Sequence, residues 1–129
     1  MREMKIGEVA EHTGLSVRTL RHYDELGIVT PSSHTQGGFR LYSTSDVEQL
    51  LLVRRMKPLE FSLEEMRRFL EATGTLGRDD ATPDARHDAA VTVEWFRDET
   101  VSRLARLRTR VGYAEEFLAL VDELPHRTD

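Results

Sequence analysis

The chain of 129 residues has a formal net charge of −5, with 32% charged and 7% aromatic residues. Such a composition suits a small, helix-rich domain with a thin core, and the absence of cysteine excludes disulfides, thiolate metal sites, iron–sulfur clusters and cysteine nucleophiles. No run approaches the roughly 18 apolar residues of a membrane helix, and the first residues lack the apolar segment of a signal peptide, so a cytoplasmic protein is expected.

The charge is unevenly spread. Residues 1–58 hold eight Lys/Arg against seven Asp/Glu, whereas residues 59–129 hold ten against sixteen. The acidity belongs to the second half, so net charge does not argue against nucleic acid binding by the first.

Taken in chain order, Ile6, Val9 and Ala10 recur at helical spacing before a break at Thr13-Gly14. Ser16 then stands as an N-cap before Val17, Leu20, Tyr23 and Leu26, which share one helical face, and Gly27 follows where a helix commonly ends. Two short helices about a Gly-containing turn match the helix-turn-helix pattern. The stretch IVTPSSHTQGGFRLYS predicts a β-hairpin, with strands at Ile28–Thr30 and Phe39–Tyr42 and its turn near Gly37-Gly38. Ser43 to Asp46 and Ser62 to Glu65 each read as a capping box opening a further helix, with Pro58 interrupting between them. Leu63, Met66, Phe69 and Leu70 give the fourth helix its apolar face.

Residues 72–86 are rich in Gly, Asp, Thr and Pro and read as a connector. Beyond them Leu104, Leu107, Val111, Ala114, Leu118 and Val121 alternate steps of three and four, a heptad seam. A helix of about 35 residues would run about 50 Å. That is too long to pack fully on so small a domain, so it asks for a partner. Gly112 weakens it by about 1 kcal/mol relative to Ala. The expected division is 1–71 for a DNA-binding domain, 72–86 for the connector, 87–124 for a dimerisation helix and 125–129 for a tail.

The stretches KIGEVAEHTGLSVRTLRHYDELGIVTP, GGFRLYS and FSLEEM occur in order over residues 4 to about 70. In them the chain resembles the mercury-resistance-regulator (MerR) family of bacterial transcription factors, as a minimal member without cysteine. It departs from the family at His22-Tyr23, where two aromatics are common, at Phe39 in place of a tyrosine, and at Leu59-Glu60-Phe61, where Leu-Gly-Phe is usual. The resemblance implies a mainly α protein, a winged helix-turn-helix with a small β-hairpin wing. A long helix follows and pairs antiparallel with a second copy in a coiled coil.

On that basis Arg18 and Thr19, at the start of the second helix, are candidates for base contacts in the major groove, where an arginine can donate two hydrogen bonds to guanine. Arg21 and His22 lie further along and are candidates for phosphate contacts. Tyr23 belongs to the core stripe by spacing, yet a buried phenol can still offer its hydroxyl to a phosphate. Arg40 resembles the family's wing arginine that reaches the DNA backbone, and Arg54 and Lys57 are candidates for a further phosphate contact. A solvated helix face is the plain alternative for each of these. Neutralising about six phosphates would give a log–log salt slope near −5.

The expected partners are double-stranded promoter DNA at an inverted repeat, a second copy of the chain and, from the resemblance, RNA polymerase, engaged after the DNA is distorted. A nucleoid-associated location would follow. No cofactor, metal or membrane is expected; His87 and His126 lie too far apart in sequence to suggest a site. Family members that sense metals use cysteines, and others append a large ligand-binding domain, whereas few residues follow the long helix. Trp95, Phe96, Tyr113 and Phe117 are candidates for an effector pocket, with core packing in a dimer as the alternative. An architectural, excisionase-like DNA binder and a coiled-coil adaptor without DNA binding are the rival functions. An enzyme is excluded, since the sequence holds no thiol, no phosphate-binding glycine loop and no grouped histidine and carboxylate.

Overall fold

The computed structural model describes residues 3–125. A short strand β1 (Met4–Lys5) leads into helices α1 (Ile6–Thr13) and α2 (Val17–Glu25). Strands β2 (Ser33–His34) and β3 (Arg40–Tyr42) follow, then helices α3 (Thr44–Met56), α4 (Leu63–Leu76) and α5 (Pro83–Glu123). The first four helices enclose one core in which Val9, Leu20, Val29, Tyr42, Leu50 and Val53 are fully buried.

The helix starts form as local chemistry dictates. The hydroxyl oxygens of Ser16, Ser43 and Ser62 accept from the backbone N–H three residues on, at 3.0, 3.1 and 3.0 Å. Asp46 and Glu65 return the bond to the backbone N–H of Ser43 and Ser62. At the end of α2, Gly27 takes φ +70° and the Ile28 N–H reaches back to the Tyr23 carbonyl at 2.9 Å, a Schellman closure.

That closure corrects the expected hairpin. It turns Ile28 and Val29 back onto α2, where they are buried, and Pro31 has no N–H for a ladder. The first wing strand is therefore Ser33–His34 rather than Ile28–Thr30, and Phe39 lies in the turn rather than in β3. The sheet order is β1-β3-β2, all antiparallel, with Met4 opposite Tyr42 and His34 opposite Arg40. Strand β1 left no signal in the sequence. Asp46 anchors the wing: besides capping α3, its Oδ2 accepts from the Ser32 N–H at 2.9 Å and the Ser32 hydroxyl at 2.7 Å.

Between α3 and α4 a 3₁₀ turn spans Lys57–Leu59, with Pro58 inside it. Glu60 then adopts φ 61°, a left-handed conformation that an L side chain resists. The link between the last two helices is short. Helix α4 continues through Leu76 and α5 begins at Pro83, so residues 77–82 alone are non-helical where 72–86 was expected. Thr82 caps α5 by accepting from the Ala85 N–H, and Pro83 at the first helical position loses no bond that the helix needs. The helix is 41 residues, about 60 Å at 1.5 Å per residue.

Only the first half of α5 is seated on the rest of the chain. Ala89 and Phe96 are buried, and the Phe96 ring lies 5.4 Å from that of Phe61 and 5.1 Å from that of Phe69. Arg103 closes the seat: its guanidinium lies 4.2 Å from the Phe61 ring centroid, donates to the Leu59 carbonyl and pairs with Glu65 and Glu99.

Candidate nucleic-acid interface

Helix α2 presents its polar face because Leu20 and Tyr23 take its buried side. Arg18, Arg21 and His22 are exposed on the opposite side, and their side chains make no hydrogen bond or ion pair among the described residues. Thr19 is half-buried. Its hydroxyl oxygen accepts from Ser16 Oγ at 2.9 Å, which leaves its own proton to donate outward.

The wing stands beside this face. Lys5, Gly7, Glu8, Arg21, Gly38, Phe39 and Arg40 line a groove between the wing turn and the start of α1. Val17, Arg18, Thr19, Arg21, His22 and Glu25 line a shallow depression on α2. Arg21 borders both, so one continuous surface carries Arg18, Arg21, Lys5 and Arg40. Phe39 is 65% exposed at the turn, and Lys5 Nζ sits 5.8 Å from its ring centroid. Lys5 and Phe39 did not figure as site residues in the sequence, because the pairing of β1 with β3 that brings them together is non-local.

Arg40 is not free in the wing. Its Nε donates to Asp24 Oδ2 at 2.5 Å, which pairs the wing with α2 and raises the arginine's affinity for its proton. The bond engages Nε and leaves the two Nη groups for a second acceptor. Tyr23 is almost wholly buried, and burial pushes its phenol above the ordinary value of 10.0, so at neutral pH the hydroxyl is a donor. Tyr42 is raised too, first by burial, and its hydroxyl finds no partner among the described residues.

Arg54, expected at a phosphate, is exposed and also has a partner within the chain. Its Nη1 donates to the Thr13 carbonyl at 2.5 Å, satisfying an orphan acceptor at the end of α1 and tying α3 to the helix-turn-helix. Lys57 is exposed in the 3₁₀ turn. The four candidate effector residues are not one pocket within a chain. Phe96 is core, Trp95 packs edge-on against it at 4.9 Å, and Tyr113 and Phe117 are 67% and 68% exposed, more than four helical turns further along α5. The seam from Leu104 to Val121 is open to solvent apart from Leu107, which is half-buried.

Among the described residues no group of three or more His, Cys, Asp or Glu side chains could hold a metal ion, and His126 lies outside them. Among the described residues no helix is long and apolar enough to cross a membrane.

Comparison with known proteins identifies a family and a shared fold. Residues 4–73 match the family described as MerR HTH family regulatory protein. Nodulation protein NolA of Bradyrhizobium elkanii is 43% identical over 75 residues, which is 58% of this chain and 34% of that protein. The HTH-type transcriptional regulator CueR of Yersinia pestis is 31% identical over 126 residues, covering 95% of this chain and 81% of its own length. Against the nodulation proteins it matches, the chain spans between 32% and 51% of their length. Among solved structures, HiNmlR, a MerR family regulator lacking the sensor domain and bound to promoter DNA, has a TM-score of 0.71 over 95% of this chain and 92% of its own. Its identity is 24%, so the likeness is one of fold.

Proposed function

The chain belongs to the MerR family of DNA-binding transcription regulators, and from that membership we propose that it acts as a homodimer on an inverted-repeat promoter site. Residues 1–71 read the DNA and the long helix joins two copies, with 87–124 as its dimerising part and the helix itself starting at Pro83. Beyond Pro125 the tail expected at 125–129 lies outside the described residues.

The observation that supports this reading best is the continuous surface from α2 to the wing that carries Arg18, Arg21, Lys5 and Arg40. Arg18 and Thr19 sit at the N-terminal end of α2, the end that meets base edges when such a helix enters the major groove. Arg21, His22, Lys5 and Arg40 flank them at the level of the phosphates, with Arg40 steered by Asp24 and Lys57 at the far rim. Arg54 holds α1 through Nη1 and keeps its remaining donors for a further phosphate. Neither unit alone offers the contact area that tight, selective binding needs, and two copies supply it. Binding by wing and helix together lets the dimer deform the duplex between its half-sites, which is how it would bring promoter elements into reach of RNA polymerase. A cytoplasmic, nucleoid-associated location follows from that role.

The test is selection of bound duplexes from a random library with purified protein, followed by salt titration of the winning site. The expected result is an inverted repeat whose preference is lost in Arg18→Ala, with a log–log salt slope near −5 for about six phosphates. Weak, salt-sensitive binding without any motif would favour an architectural DNA binder, and no binding at low salt would favour an adaptor.

A further inference from the structure

Arginines stand at 103, 106, 108 and 110 of α5, in the half of the sequence where acidic residues outnumber basic ones. Arg103, Arg106 and Arg110 line one groove of about 300 Å³ against the turn between α3 and α4. Pro58, Leu59 and Leu107 give it an apolar wall, and Glu60 forms its far rim. The groove shares no residue with the depression on α2 or the groove at the wing, so DNA binding gives these side chains no task.

The guanidiniums are unequally committed. Arg103, with a side chain 18% exposed, is held by Glu65, Glu99 and the Leu59 carbonyl and serves as fixed wall. Arg106 donates from Nη1 to Ser102 Oγ at 3.0 Å and meets no carboxylate among the described residues. Arg110 meets the Glu60 carboxylate at 3.9 Å, outside hydrogen-bond reach, and both side chains are exposed. Such a pair is weak. Arg106 and Arg110 lie on one face, about 6 Å apart along the axis, so both forks can close on a single anion. The opposite rim is strained. Glu60 holds φ 61°, which an L residue keeps only where its surroundings impose it, and in that conformation sets a carboxylate beside Arg110.

We propose that this groove binds a small organic carboxylate carried on an apolar body. Arg106 and Arg110 hold the carboxylate, while Leu59, Leu107 and the arginine stems cover the body. Glu60 is the internal competitor that the ligand displaces from Arg110. The volume is at the lower end for ligand pockets, which limits the body to about two fused rings. Leu107 belongs to the seam as well as to the groove, so an occupant touches α5 where it leaves the head of the molecule. The site goes beyond the regulator reading and does not rest on it.

The probe is 2-naphthoate, titrated without DNA into the full nitrogen-15-labelled chain and followed by NMR. It should saturate with a dissociation constant of about 1 mM, the strength that a ligand of this size reaches in an open site. The shifts should centre on the Nε–H signals of Arg106 and Arg110 and the amides of Leu59 and Glu60. The neutral 2-naphthylmethanol and inorganic phosphate should each bind about tenfold more weakly, one lacking the charge and the other the apolar body. Arg110→Gln should weaken 2-naphthoate about tenfold and Arg110→Lys less, since lysine keeps the charge without the fork. Glu60→Gln should tighten it about threefold, by removing the competing charge. Both positions are exposed, so the fold survives these changes. No saturation below about 10 mM, equal binding of the alcohol, or shifts spread alike over Arg18 and Arg21 would overturn the site. The DNA reading is tested by its own selection and stands or falls separately.

Discussion

Individual side chains set both the strain in the fold and its response to alkali. Glu60 occupies φ 61° at the end of the 3₁₀ turn, and its side chain meets Arg110 at 3.9 Å in an exposed pair. Glycine removes the steric cost of that conformation but adds freedom to the unfolded chain. Glu60→Gly should therefore stabilise the protein by about 1 kcal/mol at most, visible as a higher denaturant midpoint with unchanged slope. The buried phenols of Tyr23 and Tyr42 hold their protons more tightly folded than unfolded, since both are raised from 10.0. The stability this contributes is complete below pH 10.0 and is lost as the pH climbs through the raised values. Unfolding free energies measured at pH 9 and above pH 10 should show a fall that is smaller in Tyr42→Phe. At neutral pH the same substitution should cost nothing, because the hydroxyl it removes is buried without a partner. On DNA, Arg40→Ala should weaken binding to all sequences alike and flatten the salt slope by about 1, whereas Arg18→Ala should relax base preference. Competition binding with scrambled sites separates the two.

At the scale of elements, caps and closures decide where each helix begins and ends. Ser16→Ala removes the acceptor for the Thr19 N–H and should cost about 1 kcal/mol in thermal or chemical unfolding. Gly112 interrupts a helix of 41 residues, and a Cβ there would meet nothing within 4 Å. Gly112→Ala should accordingly gain about 1 kcal/mol, read as a higher melting temperature at fixed concentration. The caps at Ser16, Ser43 and Ser62 were legible in the sequence because they join residues three apart. The buried faces of α1 and α2 were legible for the same reason, as period and nothing more. What escaped is non-local. Strand β2 lies at Ser33–His34 because Gly27 folds Ile28 back and Asp46 holds Ser32 from 14 residues away. The roles of Arg40 and Arg54 turned on partners 16 and 41 residues distant, which no periodicity reports. Gly-, Asp- and Pro-rich composition overstated the connector, since Thr82-Pro83 is a helix start as well as a break. The basic face of α2 could be read from spacing, and the groove it shares with the wing could not.

For the whole molecule, α5 has two unlike halves. Up to Arg103 it is held by Phe61, Phe69, Glu65 and the Leu59 carbonyl. Beyond that point a run of about 20 residues has little beneath it in a single chain, and isolated helices of that length are marginal in water. On the proposed dimer, its order becomes a matter of mass action. Diluting the protein below its dimer dissociation constant should lower helical ellipticity and expose the segment after Arg103 to proteases, while the winged helix-turn-helix stays intact. In a cell, chains made in small numbers would be trimmed before they could pair, and chains above a threshold would protect one another. On the proposed dimer, the free half of α5 would make the protein's own abundance a condition of its survival.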